Sequence, residues 1–181
     1  EIKRGMKYII SDLHFGHGNV IGFNNRPFDS TARMNNEMRK RWNDTVSEGD
    51  TVVVVGDVEL DDTRSTENWV ADLNGNVLLV RGNHDQGDFS DAPFHVVETC
   101  VLRHDKYTFY VEHEPTGFSG WSIHGHTHVS DLTVYPFIHA GRQTVNVSAE
   151  LLDYRPLAMD ELVKHCGANK TFTSLADAKS R

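Results

Sequence analysis

The chain repeatedly drives a short apolar, strand-like run straight into a small polar block. The blocks hold Asp12 and His14, then Asp57, then Asn83 with His84 and Asp85, then His113, and finally His126 and His128. Residues spread this widely can meet only if the fold gathers them. Their shared position just after apolar runs predicts a site built on loops at one edge of a sheet.

The runs differ along the chain. Tyr8-Ile9-Ile10 is too short and too sharply bounded for a helix, and it reads as a buried strand ending in Ser11-Asp12-Leu13-His14. From Ser30 or Thr31 to about Val46, Met34, Met38 and Trp42 recur every four positions among Arg and Lys, which predicts a helix capped by Asp29 or Ser30. Thr51 to Val55 is a β-branched run ending in Gly56-Asp57, the pattern of a central strand covered on both faces. A short helix over Thr66 to Leu73, stopped by Gly75, and a strand over Val77 to Val80 complete a strand, helix, strand series of the parallel α/β kind. The second half reads as short strands over Val96 to Leu102, Tyr107 to Glu112, Trp121 to His124, Leu132 to Tyr135 and Thr144 to Val147, which predicts a second, more antiparallel sheet. Leu157 to Cys166 is expected to close the chain as a helix. We expect one domain over residues 6–166, an appended remnant before Met6, and a loosely held polar tail over 167–181.

Composition bounds the function. At 181 residues the chain buries a core without staples, and 38% apolar with 24% charged residues is the balance of a globular protein. The net charge of -8 argues against a broad nucleic-acid-binding surface. Cys100 and Cys166 fit no metal or redox spacing, and they read as inert thiols of a reducing compartment. No apolar run approaches membrane-spanning length, and Glu1 to Lys7 lacks the apolar stretch of a secretory leader, so the expectation is a cytoplasmic protein without a membrane partner.

Taken singly, the polar blocks are weak signals. Asp12 and His14 alone read as a turn aspartate with a surface histidine, and His113 alone as structural. Glycine before Asn83-His84-Asp85 lets three polar groups project together, and Gly125-His126-Thr127-His128 sets two imidazoles at i and i+2. Five such coincidences, each after a strand, favour a single dinuclear metal site over separate accidents.

The order D-x-H, G-D, G-N-H-D, H, G-H-x-H resembles the calcineurin-like metallophosphoesterase superfamily over about Met6 to Leu151, in its small single-domain branch. The resemblance implies a four-layer α/β/β/α sandwich of two mixed sheets with a dinuclear metal site at the loop edge. It implies that one metal takes Asp12, His14, Asp57 and His128, and the other Asp57, Asn83, His113 and His126. Asp57 would bridge, and His84 would be the catalytic residue that protonates the leaving group or steadies phosphoryl charge. The implied cofactors are two divalent ions, manganese first, with iron, zinc or nickel as alternatives. The implied reaction is phosphoester hydrolysis by a metal-bridging hydroxide.

The residue types fit that chemistry independently of the resemblance. One carboxylate can hold two cations, and the rest of the set is neutral imidazole and amide oxygen, so a metal-loaded core stays positive and draws phosphate into an acidic chain. Asp85 is expected to brace the loop. In several branches of the superfamily a polar residue three positions after the bridging aspartate orients the histidine; here it is Leu60, with Asp61 or Asp62 as substitutes. His17, and Arg26 of an Asn-Arg-Pro-Phe run, are read as substrate contacts, the alternative for Arg26 being a structural turn arginine. A phosphodiester substrate is favoured over a phosphomonoester such as a nucleotide, sugar or protein phosphate, and a nucleotide or cyclic nucleotide is the candidate partner. A silent metal-binding interaction module is the reading from another class, and oligomeric state leaves no trace in the chain.

Overall fold

The computed structural model describes residues 5–181; residues 1–4, most of the stretch read as a remnant, lie outside the described residues. The first sheet is built from β1 (Lys7–Ile10), β2 (Thr51–Val55), β3 (Asn76–Val80) and β4 (His95–Val97) in parallel, with β10 (Leu157–Ala158) antiparallel on the free edge of β1. Register sets Ile10 beside Val54 and Val54 beside Leu79, so the ends of the three strands, and the blocks that follow them, lie side by side. Val52 to Val55 are buried throughout, as a strand covered on both faces requires.

Two helices join β1 to β2: α1 (Asn19–Phe23), which the periodicity does not foretell, and α2 (Thr31–Thr45). Ser30 Oγ accepts the Arg33 N–H and caps α2, while Met34, Met38 and Trp42 form its buried stripe. Burying each of the three stabilises the fold by roughly 1.5 to 3 kcal/mol. Trp42 Nε1 donates to the Asn74 carbonyl at 2.9 Å, tying α2 to the turn after α3 (Thr66–Val70).

The second sheet has the order β11-β8-β9-β7-β6-β5, with β5 (Cys100–His104), β6 (Tyr107–Val111), β7 (Ser122–His124), β8 (Ile138–His139), β9 (Thr144–Asn146) and β11 (Thr171–Phe172). β6, β7 and β9 run parallel and the other pairings are antiparallel, so both sheets are mixed. Phe109, Val111, Ile123 and Val145 are fully buried on one face and belong to a continuous apolar cluster that includes residues from both faces of the first sheet, such as Ile9 and Val54. This is the four-layer α/β/β/α sandwich, unevenly built: α2 and α3 flank the first sheet, while α4 (Met159–Cys166) and α5 (Leu175–Ser180) are short.

The structure corrects four expectations. The run 96–102 is two strands, because the chain leaves one sheet as β4 and enters the other as β5 across Glu98-Thr99. Leu132 to Tyr135 is a turn, not a strand: Asp131 Oδ1 accepts the N–H groups of Thr133 and Val134, and the strand follows Pro136 as β8. Leu157-Ala158 is the strand β10 rather than the first turn of the closing helix. The tail is not loose. Within it β11 pairs with β8, Ser174 caps α5, and Phe172, Leu175 and Ala178 are buried.

The sheets meet at the edge where β1 ends. Ser11 N–H donates to the Val147 carbonyl at 2.9 Å and Ala149 N–H to the Ser11 carbonyl at 3.0 Å, which fixes Asp12 against the loops after β7 and β9. Among the described residues no helix is long and apolar enough to cross a membrane.

Candidate metal centre

Every block lies in a loop at the carboxyl end of a parallel strand, where an α/β sheet has its open crevice. Asp12 and His14 follow β1, Asp57 follows β2, Asn83 and His84 follow β3, His113 follows β6, and His126 and His128 follow β7. Two groups result: Asp12, His14 and His128 in one, Asp57, His113 and His126 in the other, the ligand atoms of each lying within 4.8 Å of one another. Asn83 Oδ1 joins the second group, 2.9 Å from His113 Nε2 and 3.0 Å from His126 Nδ1. Asp57 Oδ2 stands between the groups, 3.5 Å from His14 Nε2 and 3.3 Å from His113 Nε2.

The backbone at these positions is unusual. Asp12, His14, Asp57, His126 and His128 all have φ between 47° and 66°, the left-handed region that side chains other than glycine seldom occupy. Neighbouring bonds hold them there. Asp85 Oδ2 accepts the N–H of Asp57 and of Gly82, both at 2.7 Å, and its Oδ1 accepts that of Val58, so Asp85 braces the Asp57 turn as expected. Gly82 serves by close approach rather than by a sharp turn, since a Cβ there would collide with Asp57 Oδ1. Gly56 combines φ of 86° with a Cβ position filled by the His113 ring.

The imidazoles are aimed by their second nitrogens. His113 Nδ1 donates to the Val55 carbonyl at 2.8 Å, which turns Nε2 to Asn83 and Asp57. His128 Nδ1 meets Glu150 Oε1 at 2.9 Å, and its Nε2 faces Asp12 Oδ1 at 3.4 Å. Asp12 Oδ2 accepts from the Ser11 and Ser148 hydroxyls and from His126 N–H, leaving Oδ1 for the site. Asn146 Nδ2 reaches Thr127 Oγ1 and the His128 and Tyr135 carbonyls, each at 3.0 Å, and so ties the last loop to β9.

A divalent cation fits this set. Asp12 Oδ1 and His14 Nε2 are buried with no hydrogen-bond partner, which is costly unless a cation completes them. Burial opposes charge on both Asp12 and His113, yet the surrounding opposite charges outweigh it. Asp12 is held far below the usual carboxylate range, and Asp57 and Asp12 hold His113 up to about 9. Without a cation the carboxylates therefore favour a proton on His113 and on His128. A metal ion would replace that positive charge.

His84 and His17 line the rim, their rings 5.5 Å and 5.4 Å from that of His14. His84 N–H donates to Asp57 Oδ1 at 3.0 Å, but among the described residues no side chain hydrogen-bonds its ring. Leu60 is 41% exposed and its N–H bonds the Phe15 carbonyl, Asp61 turns to Thr63, and Asp62 is exposed; among the described residues neither aspartate hydrogen-bonds the His84 ring. Arg26 is a correction. Its side chain is fully buried, with Nη1 on the Leu13 carbonyl, Nη2 on the Asp12 carbonyl and Nε on Glu150, which leaves no donor for a substrate. Glu150, Asn146, Ser11 and Ser148 escaped the sequence reading. Asn146-Val147-Ser148 does repeat the pattern of polar residues after a buried strand, but serine and asparagine in a loop carry no distinctive chemistry. His124 packs against Tyr135, and His165 against Phe137 and Phe172.

Two mixed sheets with paired metal-ligand groups on their loop edge define a class, and comparison with known proteins supplies the family. The family model for calcineurin-like phosphoesterases matches residues 8–148, so the chain belongs to that family of metal-dependent hydrolases acting on phosphoesters. It is 37% identical over 177 residues to an uncharacterized protein of Methanocaldococcus jannaschii, covering 94% of this chain and 96% of that one. The Gene 66 protein of Mycobacterium phage L5 is 31% identical over 81 residues, 43% of this chain and 39% of that one. A protein of unknown function from Aquifex aeolicus has a similar fold, with a TM-score of 0.69 at 21% identity over 88% of this chain and 98% of that chain.

Proposed function

We propose that the protein is a dinuclear phosphodiesterase in which Asp12, His14, Asp57 and His128 hold one divalent ion and Asp57, Asn83, His113 and His126 hold the other. The observation that carries this reading is the placement of Asp57 Oδ2 between the two groups, within 3.5 Å and 3.3 Å of an imidazole of each. Bound there, two divalent cations, manganese first among them, would activate a water and neutralise phosphoryl oxygens.

The protein's own residues do the rest. Asp57 is fixed by the N–H of His84 at Oδ1 and by Asp85 beneath its backbone, so the shared ligand cannot swing away. His84 stands at the rim, its ring without a hydrogen bond among the described residues, and would protonate the departing ester oxygen. His17, its ring beside His14, is placed to hold a phosphoryl oxygen or the ester substituent. Asn83 and His126 are exposed, which leaves the second group open to solvent and gives room for the second substituent of a diester. With Arg26 committed and a net charge of -8, the reading favours a compact substrate such as a nucleotide or cyclic nucleotide over a polymer drawn along a basic track. The free thiols of Cys100 and Cys166 suit a reducing compartment, and we assign the protein to the cytoplasm.

The test is hydrolysis of bis(p-nitrophenyl) phosphate and p-nitrophenyl phosphate by the manganese-loaded protein, beside the His84→Ala and Asp57→Asn variants. We expect the diester to be preferred, His84→Ala to keep metal while losing about 10²- to 10⁴-fold in turnover, and Asp57→Asn to lose metal. Preference for the monoester would make the protein a phosphomonoesterase. A fully metallated wild type inert to both esters, to nucleotides and to cyclic nucleotides would leave an interaction module.

A further inference from the structure

One buried ion pair lies beneath the first metal group and belongs to neither set of ligands. Arg26 and Glu150 are 124 positions apart and both side chains are almost wholly enclosed, 0% and 3% exposed. Glu150 Oε1 accepts from Arg26 Nε at 2.9 Å, from Arg26 Nη2 at 2.8 Å and from His128 Nδ1 at 2.9 Å, three donors on one oxygen. Glu150 Oε2 is buried with no partner. The same guanidinium donates to the carbonyls of Asp12 at 2.6 Å and Leu13 at 2.7 Å, the turn in which Asp12 and His14 hold their left-handed backbone.

We propose that Arg26 and Glu150 are positioning residues that set the metal affinity of the Asp12, His14 and His128 half of the site; the assignment rests on the ligand sets proposed above. Glu150 holds the proton of His128 on Nδ1, so that the lone pair of Nε2 points at the metal position beside Asp12. Arg26 neutralises that carboxylate and locks the Asp12-Leu13 carbonyls, so one side chain couples the first block to the last. A stability role alone is a weak explanation. A buried ion pair is often matched or bettered by apolar residues of the same volume, and this pair leaves a carboxylate oxygen unbonded. Among the described residues no carboxylate outside the ligand set bonds an imidazole of the second group: His113 is aimed by a main-chain carbonyl, that of Val55. The two metal positions should therefore respond differently to loss of the pair.

The experiment is manganese titration of the full chain by calorimetry, with electron paramagnetic resonance for spin coupling between the ions and thermal melts of each metal-free protein. Glu150→Gln keeps an acceptor oxygen for His128 and Glu150→Ala removes it. Arg26→Met with Glu150→Gln avoids an uncompensated buried charge if the single variants fold poorly. For Glu150→Ala we expect one manganese to bind as in wild type and the other about 10- to 100-fold more weakly, with loss of spin coupling, and partial rescue in Glu150→Gln. The double variant should show the same selective weakening. The proposal is overturned if both affinities match wild type, or if both fall together in step with the melting temperature. Metal binding is read without substrate, so a wild type that binds two ions but cleaves no ester would defeat the proposed reaction and leave this inference standing. A wild type without two binding events would defeat both.

Discussion

At the scale of single residues, the site is a set of charges held close by strained backbone. Metal-free His113 has its pKa held up to about 9 against an ordinary 6.5, so its bound proton contributes stability that is fully present below about pH 6.5 and lost as pH rises through about 9. A metal must displace that proton. Manganese affinity measured by calorimetry should therefore climb from pH 6.5 to 9, by up to about tenfold per pH unit, and the melting temperature of the metal-free protein should fall over the same interval. A flat affinity profile would contradict ligation through His113. Gly82 offers a steric test, because a methyl group there must displace Asp57. Gly82→Ala should lower turnover by on the order of 10²-fold, the cost of misplacing a reacting group by about an ångström, with circular dichroism unchanged. Wild-type turnover in Gly82→Ala would mean that Asp57 tolerates movement.

At the scale of elements, legibility followed the physical strength of the signal. The strands β1, β2 and β3 and the helix α2 were plain from the sequence because their apolar residues are continuous or have a 3.6-residue period, and the first ligand blocks were plain because they end those strands. The run 96–102 hid a change of sheet because both halves are apolar on either side, and nothing in that pattern reports which sheet a strand joins. Leu132 to Tyr135 has strand-forming side chains, but Asp131 captures its N–H groups, a local bond that outcompetes pairing. Glu150 and Asn146 were illegible because their partners, Arg26 and the His128 loop, are distant in sequence or bonded through main chain. The tail looked dispensable because its apolar residues are few. Phe172, 2% exposed, nonetheless fills space beside His165, and Phe172→Ala should cost about 3 to 5 kcal/mol in chemical denaturation. A loss below 1 kcal/mol would return the tail to the loose role first assigned to it.

At the scale of the whole molecule, seven candidate ligands come from five loops on two sheets, five of them on left-handed turns, and a cation shared among them would tie those loops together. Chelation should lower the melting temperature. With free metal at a thousandfold above Kd, each ion adds about 4 kcal/mol, so metal removal should register as one of the largest single losses of stability available to the protein. An unchanged melting temperature after exhaustive chelation would exclude occupancy of the site in the starting material. The junction of the sheets, where Ser11 pairs with Val147 and Ala149, also has a consequence in time. Asp12 and His128 are separated by most of the chain, so their shared ion position exists only after both sheets have formed and joined. Metal then arrives behind the rate-limiting step: saturating manganese should slow unfolding in proportion to the stability gained and leave the refolding rate unaltered.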